Sequence, residues 1–189
     1  MNTNNQIEEL IKLCALGDAE AQKQLFMTYY SKLMTICLRF TDNEDDAKDV
    51  LNEGFLKIFQ SIDRFNHEGS FEGWLKRIIS NTAIDFVRKQ YKFKNSQPIH
   101  HFQDLPDTMG YADAISILSE KELLVLIQKL PPMSRSVFNL AVFENFTHKE
   151  IALCLGIKEG TSMWHLNNAR TILKRQLALL NKETEVIYG

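Results

Sequence analysis

The sequence predicts an all-α protein made of two small helical domains joined by a flexible linker, the second domain ending in a helix-turn-helix. Three observations support this class. Apolar residues recur at spacings of three and four over long stretches, no segment shows the sustained alternation typical of strands, and residues 94–114 lose all period around Pro98, Pro106 and Gly110. At 189 residues the chain can hold two domains, each with a modest core.

These patterns divide the chain into five segments. An N-terminal extension covers residues 1–17, the first helical domain covers residues 18–93, and the linker covers residues 94–114. The second helical domain covers residues 115–181, and a C-terminal tail covers residues 182–189. Every candidate functional residue therefore lies in one of the two helical domains.

Three helices are expected in the first domain, over residues 18–39, 43–62 and 71–91. The segment 64–70 between the last two breaks the period with Asn66 and Gly69, and it predicts a loop. In the third helix the residues expected to be buried are Phe71, Leu75, Ile78, Thr82 and Phe86.

The second domain shows the strongest local signals. A helix is expected over residues 115–130, and Pro131 with Pro132 starts the next. Thr147 followed by Glu150 is a capping box that opens a short helix, and Gly156 ends it. The period then resumes at Leu166, Ala169, Leu173 and Leu177. Two helices joined by a turn that contains glycine indicate a helix-turn-helix, although an ordinary helical hairpin has the same pattern.

In a helix-turn-helix the second helix enters the major groove of DNA. Helical phase puts Met163, Trp164, Asn167 and Asn168 on its outer side. An Asn amide can read adenine through its paired donor and acceptor, while Arg170 and Lys174 can hold phosphates. The outward Trp164 fits a DNA contact and a protein-partner surface equally well.

A basic stripe runs along the third helix of the first domain. Arg77, Asn81, Asp85 and Arg88 recur at spacings of four, four and three, and Lys89, Lys92 and Lys94 extend the stripe. Cations can follow phosphates, and a loop beside a helix can receive a base that has left the stack. We expect Asn81 to supply an amide to such a base and His67 of the loop to touch DNA. The alternatives are a solvated Asn81 and an Asp85 that pairs with Arg77 or Arg88.

Charge is distributed in blocks that sum to a net charge of -2. Residues 1–63 carry a net charge of -5, residues 64–95 carry +4, residues 96–130 carry -3 and residues 131–189 carry +2. Two basic segments between acidic ones suggest two places that meet phosphate, with the acidic parts solvated or facing a basic partner. On residues 43–62 the acidic face contains Asp49, Asn52 and Glu53.

Composition argues against enzymatic and membrane functions. The sequence contains no Gly-rich phosphate loop, no nucleophile elbow and no paired metal-ligand spacing, so we expect neither catalysis nor a cofactor or metal. Three scattered cysteines fit reduced, buried thiols. The polar N-terminus and the lack of an apolar run of about 20 residues predict no signal peptide and no membrane insertion, hence a cytoplasmic protein.

Several blocks of the sequence together resemble a known family. GDAEAQKQLFMTYY, NEDDAKDVLNEGFLKIFQSIDRF and SFEGWLKRIISNTAIDFVRKQ look like the second conserved region of the extracytoplasmic-function group of bacterial sigma factors. LPPMSRSVFNLAVFENFTHKEIALCLGIKEGTSMWHLNNARTIL is similar to their fourth region. Order, spacing and linker also match, over about four fifths of the chain. The resemblance implies a subunit that binds core RNA polymerase, recognises two promoter elements and opens DNA at the downstream one.

The resemblance also implies a set of contact residues. Polymerase would be bound through Asp49, Asn52 and Glu53, which the family docks on the coiled-coil clamp of the largest polymerase subunit. The downstream element would be contacted by Arg77, Asn81, Arg88, Lys89 and His67. The upstream element would be contacted by Thr161, Met163, Trp164, His165, Asn167, Asn168, Arg170 and Lys174. Many relatives are held inactive by an anti-sigma factor, so the resemblance implies such a partner as well.

The expected recognition helix departs from the family pattern. Met163, Trp164 and His165 stand where basic residues are usual, and Lys158 stands where a small capping residue is common. Two other functions therefore remain open, a stand-alone helix-turn-helix regulator that dimerises on a palindrome and a sigma-like decoy that docks without reading DNA. A simple regulator has no need of a basic helix beside an acidic docking helix, which favours the initiation factor.

Overall fold

The computed structural model of the protein describes residues 3–94 and 119–188, with the side chains of residues 6–91, 119 and 121–180. All regular structure within these ranges is helical, which confirms the predicted all-α class. The chain forms two compact units, Met1–Phe86 and Val87–Gly189. All but one residue of the predicted linker lies outside the described residues, and the predicted domain limits stay predictions.

The first unit begins with a helix to which the sequence patterns assign no structure. This helix, α1, spans Thr3–Ala15, and it buries Ile11 and Cys14. Helices α2 (Ala19–Phe40) and α3 (Glu44–Ser61) follow, and the side chains of Asp18 and Asn43 cap their first turns. A 3-10 turn at Ile62–Arg64 leads through a short loop to α4 (Phe71–Lys94). The three predicted helices and the loop are therefore confirmed.

The core of the first unit corrects the predicted phase of α4. Ile78 and Phe86 are only half-buried. The residues of α4 that are buried are Phe71, Leu75, Ile79, Ser80, Thr82, Ala83, Ile84 and Val87. Two adjacent isoleucines leave the phase ambiguous in the sequence, and Gly54 of α3 resolves it. A Cβ at Gly54 would overlap the Cδ1 of Ile79, so the missing side chain lets Ile79 pack directly on α3.

The second unit contains four described helices, α5 (Glu120–Gln128), α6 (Pro132–Val142), α7 (His148–Leu155) and α8 (Glu159–Tyr188). Capping boxes open α5 at Ser119 and α7 at Thr147, and Pro132 occupies the first turn of α6. Gly156 ends α7 in the left-handed conformation, with φ of 68°. The backbone of α8 continues to Tyr188, through the residues that the sequence analysis treats as a tail.

The core of this unit forms where α5, α6 and α7 meet one side of α8. The predicted inner residues Leu166, Ala169, Leu173 and Leu177 are all buried, which confirms the predicted packing of α8. From the other helices the buried apolar residues are Leu126, Ile127, Val137, Phe138, Leu140, Ile151 and Leu155, and Leu130 joins them from the turn after α5. The prediction of a helix from residue 115 is correct in type, but the described part begins at Glu120 because Ser119 caps it.

Candidate nucleic-acid interface

The exposed side of α3 carries the predicted acidic face. Asp49, Asn52 and Glu53 are all exposed, and their spacings of three and four place them on one side of the helix. Leu56 extends the same side and is 57% exposed. The sequence analysis missed Leu56, although its spacing from Asn52 and Glu53 signals it. The structure thus places three polar residues and one apolar residue on a single surface.

Lys57 connects this acidic face to α4. Its Nζ lies 3.0 Å from Oε1 of Glu53, 3.3 Å from Oγ1 of Thr82 and 4.0 Å from Oδ2 of Asp85. The sequence analysis paired Asp85 within α4 only, whereas the long lysine side chain brings in a partner from α3. Because Thr82 is buried and its hydroxyl also donates to the carbonyl of Ile78, this contact fixes the register of the two helices.

The basic stripe of α4 is exposed to solvent. Arg77, Asn81, Arg88 and Lys89 are exposed, and Asp85 between them is partly exposed. The predicted residues are therefore brought together along one helix. Lys92 and Lys94 continue the stripe in sequence, but their side chains lie outside the described residues.

The loop between the 3-10 turn and α4 has a strained, well-anchored backbone. His67 has φ of 59° although it is not glycine, and Gly69 has φ of 94°. The ring of Phe65 lies 4.8 Å from that of His67, 5.2 Å from that of Phe71 and 5.6 Å from that of Trp74. Phe71 is buried and Trp74 is half-buried, so both rings hold the loop against α4 while His67 stays exposed.

An ion-pair cluster holds the first turns of α4 on α2. The Nζ of Lys32 lies 2.8 Å from Oε2 of Glu72, and the Nζ of Lys76 lies 2.9 Å from Oε1 of the same carboxylate. The hydrogen bond from Lys32, followed by that from Lys76, lowers the pKa of Glu72 to about 2. The carboxylate is thus ionised at neutral pH, and it fixes the start of the basic stripe.

The helix-turn-helix of the second unit has the predicted local geometry. The hydroxyl of Thr147 and the carboxylate of Glu150 form the capping box, and both hydrogen bonds from Thr147 lower the pKa of Glu150. Across the turn, Nδ1 of His148 lies 2.9 Å from Oγ of Ser162, which is fully buried. This contact ties the start of α7 to the first turns of α8.

On the outer part of α8, Met163 is 49% exposed and Lys174 is exposed, while Thr161, Trp164 and Asn167 are half-buried. The ring of Trp164 lies edge-on to that of His165, with 4.9 Å between the ring centroids. Met163, Trp164 and Asn167 thus lie within the first turns of α8, and Lys174 is exposed further along the same helix.

Three residues predicted to contact DNA also lie against other helices of the second unit. The Nδ2 of Asn168 donates to Oγ of Ser134 on α6 over 3.0 Å, so its predicted outward orientation is wrong for this amide. The Nδ1 of His165 lies 3.0 Å from the same oxygen, and burial lowers the pKa of His165 to about 4. Arg170 lines a cavity of about 180 Å³ with six apolar side chains. Periodicity cannot anticipate the buried hydroxyl of Ser134, which draws two of these side chains inward.

Within residues 3–94 and 119–188, no group of three or more His, Cys, Asp or Glu side chains is placed to hold a metal ion. In the same part of the chain no helix has the length and hydropathy needed to cross a membrane.

Comparison with known proteins identifies both halves of this arrangement. The family model described as Sigma-70 region 2 matches residues 25–93, and the model described as Sigma-70, region 4 matches residues 120–173. The first match contains the acidic face and the basic stripe, and the second contains the helix-turn-helix. Together the two models cover most of the chain in the order that the sequence patterns indicate.

Individual relatives extend over nearly the whole chain. The ECF RNA polymerase sigma factor SigE of Mycolicibacterium smegmatis is 28% identical over 90% of this chain and 68% of its own length. SigW of Bacillus subtilis, also an ECF RNA polymerase sigma factor, is 28% identical over 90% of this chain and 96% of its own. Among solved structures, that of CnrH in complex with the cytosolic domain of CnrY matches 90% of this chain and 96% of its own chain with 23% identity and a TM-score of 0.45.

The matched ranges therefore contain a basic helix beside an acidic one, followed by a capped helix-turn-helix, in the order of regions 2 and 4. The chain belongs to the extracytoplasmic-function group of bacterial sigma factors, which bind core RNA polymerase and direct promoter-specific initiation of transcription.

Proposed function

We propose that each step of initiation is assigned to a specific surface of the two units. The acidic face of α3 binds polymerase, the basic stripe of α4 with its loop binds and opens the downstream element, and the outer surface of α8 reads the upstream element. The observation that carries the proposal is the close pairing of the first two surfaces. Lys57 joins the exposed face of α3, through Glu53, to the stripe of α4 at Asp85.

The docking face combines charge with an apolar contact. Asp49 and Asn52 are exposed, whereas Oε1 of Glu53 forms an ion pair with Nζ of Lys57 over 3.0 Å. Asp49 therefore presents the more accessible negative charge to a basic partner, which would speed association through long-range attraction. Leu56, 57% exposed beside these residues, supplies an apolar side chain that polymerase can bury. We assign it to the centre of the docking surface, with the carboxylates around it.

The basic stripe is suited to binding promoter DNA as its strands separate. Arg77, Arg88 and Lys89 are exposed and can follow a phosphate backbone, while Asn81 offers an exposed amide between them. A base that leaves the stack needs a rigid receiving surface. The loop provides one, because Phe65 and Trp74 fix its backbone and His67 is held in an uncommon conformation.

Upstream recognition is assigned to a smaller set of residues than the sequence predicts. Asn167 carries the amide that remains on the outer part of α8, next to Met163 and Trp164. An amide can pair with adenine, and the apolar side chains can contact a thymine methyl group. Lys174 is exposed on the same helix and is placed to hold a phosphate. We assign Asn168 and His165 to the support of the helix because both bind Ser134.

The proposal requires polymerase for useful DNA binding. The protein has a net charge of -2, and the outer residues of α8 between Thr161 and Asn167 include no lysine or arginine. Each basic surface alone should therefore bind DNA weakly at physiological salt. Docking on polymerase would hold both surfaces on one promoter, and the second contact would then benefit from a high effective concentration.

The proposed function also covers catalysis, the place of action and a further partner. The chain supplies recognition and no catalysis, since the reaction belongs to the polymerase that it joins. Its place of action is the cytoplasm, where core polymerase acts. An anti-sigma factor is a further partner that the family resemblance implies, and such an inhibitor would have to cover a surface that polymerase needs.

Run-off transcription from a library of genomic fragments tests the proposal. Core polymerase is used with and without the protein, and gel shifts are carried out with the protein alone. We expect specific start sites only when both components are present and no specific shift by the protein alone. The matched control is a Glu53→Lys, Asp49→Lys double variant, which should abolish the start sites.

Two outcomes would contradict the proposal in different ways. Tight, two-fold symmetric binding by the protein alone, without stimulation of core polymerase, would establish a stand-alone regulator. Co-purification with core polymerase without specific transcripts from any fragment would establish a decoy.

A further inference from the structure

Two side chains of α8 converge on one buried hydroxyl of α6. The Oγ of Ser134 lies 3.0 Å from Nδ2 of Asn168 and 3.0 Å from Nδ1 of His165, and Ser134 is only 1% exposed. His165 and Asn168 are three positions apart on α8, so they approach this oxygen from successive turns. The contact joins residues that are more than 30 positions apart in the sequence.

The hydrogen atoms can be assigned from the chemistry of the three groups. An amide nitrogen can only donate, so Ser134 accepts from Asn168. The single proton of the Ser134 hydroxyl is then available to Nδ1 of His165, which leaves a neutral imidazole with its own proton on Nε2. Burial lowers the pKa of His165 to about 4, which agrees with a neutral ring that accepts. With His165 in this tautomer, Ser134 serves as acceptor and donor at once.

These hydrogen bonds restrict the rotation and sliding of α8, which apolar packing alone leaves free. Leu166, Ala169 and Leu173 hold α8 on the core, but such contacts have no preferred direction. Hydrogen bonds weaken steeply away from their axis. Two bonds from points about 4.5 Å apart along the helix therefore oppose both rotation and sliding of α8. Ser162, bonded to His148, adds a third fixed point one turn earlier.

We propose that Ser134 is a positioning residue for reading of the upstream promoter element. Through His165 and Asn168 it sets the rotation of α8, and with it the direction in which Asn167 and Trp164 meet the bases. Trp164 lies against His165 with ring centroids 4.9 Å apart, so the orientation of the imidazole also limits that of the indole. This inference rests on the proposed role of α8 in the upstream element.

Sequence preference of the holoenzyme measures this role directly. Core polymerase with the full-length protein transcribes a promoter library that keeps a selected downstream element and has a randomised upstream element, and the transcripts are sequenced. For Ser134→Ala we expect the ratio of best to worst base in the upstream element to fall about threefold to tenfold, the size expected for the loss of a hydrogen bond. Preference in a parallel library with a randomised downstream element should not change.

Ser136→Ala is the matched control. Ser136 lies on the same helix and is 2% exposed, but its hydroxyl donates over 2.9 Å to the carbonyl of Pro132 in its own helix. The same chemical change at equal burial should leave upstream preference within about twofold of wild type, because a bond inside α6 does not orient α8. Equal flattening by Ser136→Ala would show general loosening and overturn the inference. So would an unchanged preference in Ser134→Ala.

A double-mutant cycle with Asn168 gives a second test, run at a temperature at which thermal melts show Ser134→Ala to be folded. Asn168 is half-buried and tolerates truncation better. Asn168→Ala should flatten upstream preference on its own, and its combination with Ser134→Ala should be no worse than the poorer single variant. Losses that multiply would place Asn168 on DNA independently and overturn the inference. A wild-type holoenzyme without any upstream preference would contradict the proposed function itself, and with it the inference that depends on it.

Discussion

Gly54 of α3 lies directly against Ile79 of α4, so closely that a Cβ at position 54 would overlap the Cδ1 of Ile79. Ile79 is fully buried and also backs the helix that carries the basic stripe. The absence of a side chain at Gly54 therefore makes room for Ile79 between the helix with the proposed docking face and the helix with the proposed DNA-binding stripe.

Gly54→Ala should destabilise the first unit. Forcing a methyl group into this contact requires Ile79 or the backbone to shift, which we expect to cost about 1–3 kcal/mol of unfolding free energy. Urea unfolding followed by the fluorescence of Trp74, in a Trp164→Phe background, measures the change.

Gly160→Ala is the control for this substitution. It changes a helical glycine with open space around its Cβ position, and it should be neutral or slightly stabilising. Its unfolding is followed through Trp164 in a Trp74→Phe background. An unaltered unfolding midpoint in Gly54→Ala would show that the two helices are not held at this distance.

Local sequence patterns predict many features of the fold but not the contact between Gly54 and Ile79. Helix positions, both caps at Thr147 and Gly156, and the inner residues of α8 follow from local chemistry, so periodicity predicts them. The burial of Ile79 over Ile78 depends on a glycine that lies 25 residues earlier, which no local period reports. Likewise, helical phase favours an outward Asn168, and only the tertiary position of Ser134 draws its amide inward.

Asp49→Lys should impair assembly with core polymerase. Reversing an exposed charge on the docking face replaces attraction to a basic partner with repulsion, so we expect at least about a tenfold loss in affinity at low salt and a smaller loss at high salt. Co-purification at two salt concentrations measures it. Glu20→Lys, an equal reversal at an exposed position of α2, is the control and should bind normally. Normal assembly of Asp49→Lys would remove this residue from the interface.

Arg77→Ala with Arg88→Ala should weaken promoter opening more than polymerase binding. Both side chains are exposed on α4 and neither belongs to the proposed docking face, so we expect their loss to remove phosphate contacts and to leave docking intact. Permanganate reactivity of thymines in the opened region reports the effect. Lys23→Ala with Lys121→Ala removes the same charge from exposed positions elsewhere and should preserve opening. Full thymine reactivity in the arginine variant would exclude the stripe from opening.

Asn167→Ala and Lys174→Ala should separate base reading from phosphate contact. Loss of an amide that pairs with a base should cost about 1–3 kcal/mol and flatten preference at a single position of the upstream element. Loss of a phosphate contact should weaken all sequences alike and reduce the salt slope of binding by about one unit. Holoenzyme binding to single-base promoter variants at several salt concentrations distinguishes the two. A uniform loss for Asn167→Ala would reassign this residue to the backbone.

His165 should make the stability of the second unit depend on pH. Burial holds its pKa at about 4 in the folded protein, below the value of 6.5 for the free side chain. Between these values the unfolded chain binds a proton that the folded chain excludes, so stability is complete above pH 6.5 and is lost as pH falls toward 4. The slope contributed by one such group can reach about 1.4 kcal/mol per pH unit.

Urea midpoints between pH 7.5 and about 5.5, read through Trp164 in a Trp74→Phe background, test this dependence in a range where the carboxylates stay ionised. His165→Asn should remove the slope, because no imidazole then has to stay unprotonated. His67→Asn is the control: it changes an exposed histidine of the first unit in a conformation that asparagine adopts readily, and it should keep the slope. A wild-type midpoint that does not change over this range, or an equal slope in His165→Asn, would show that the imidazole is accessible to solvent and that Ser134 does not hold it in the core.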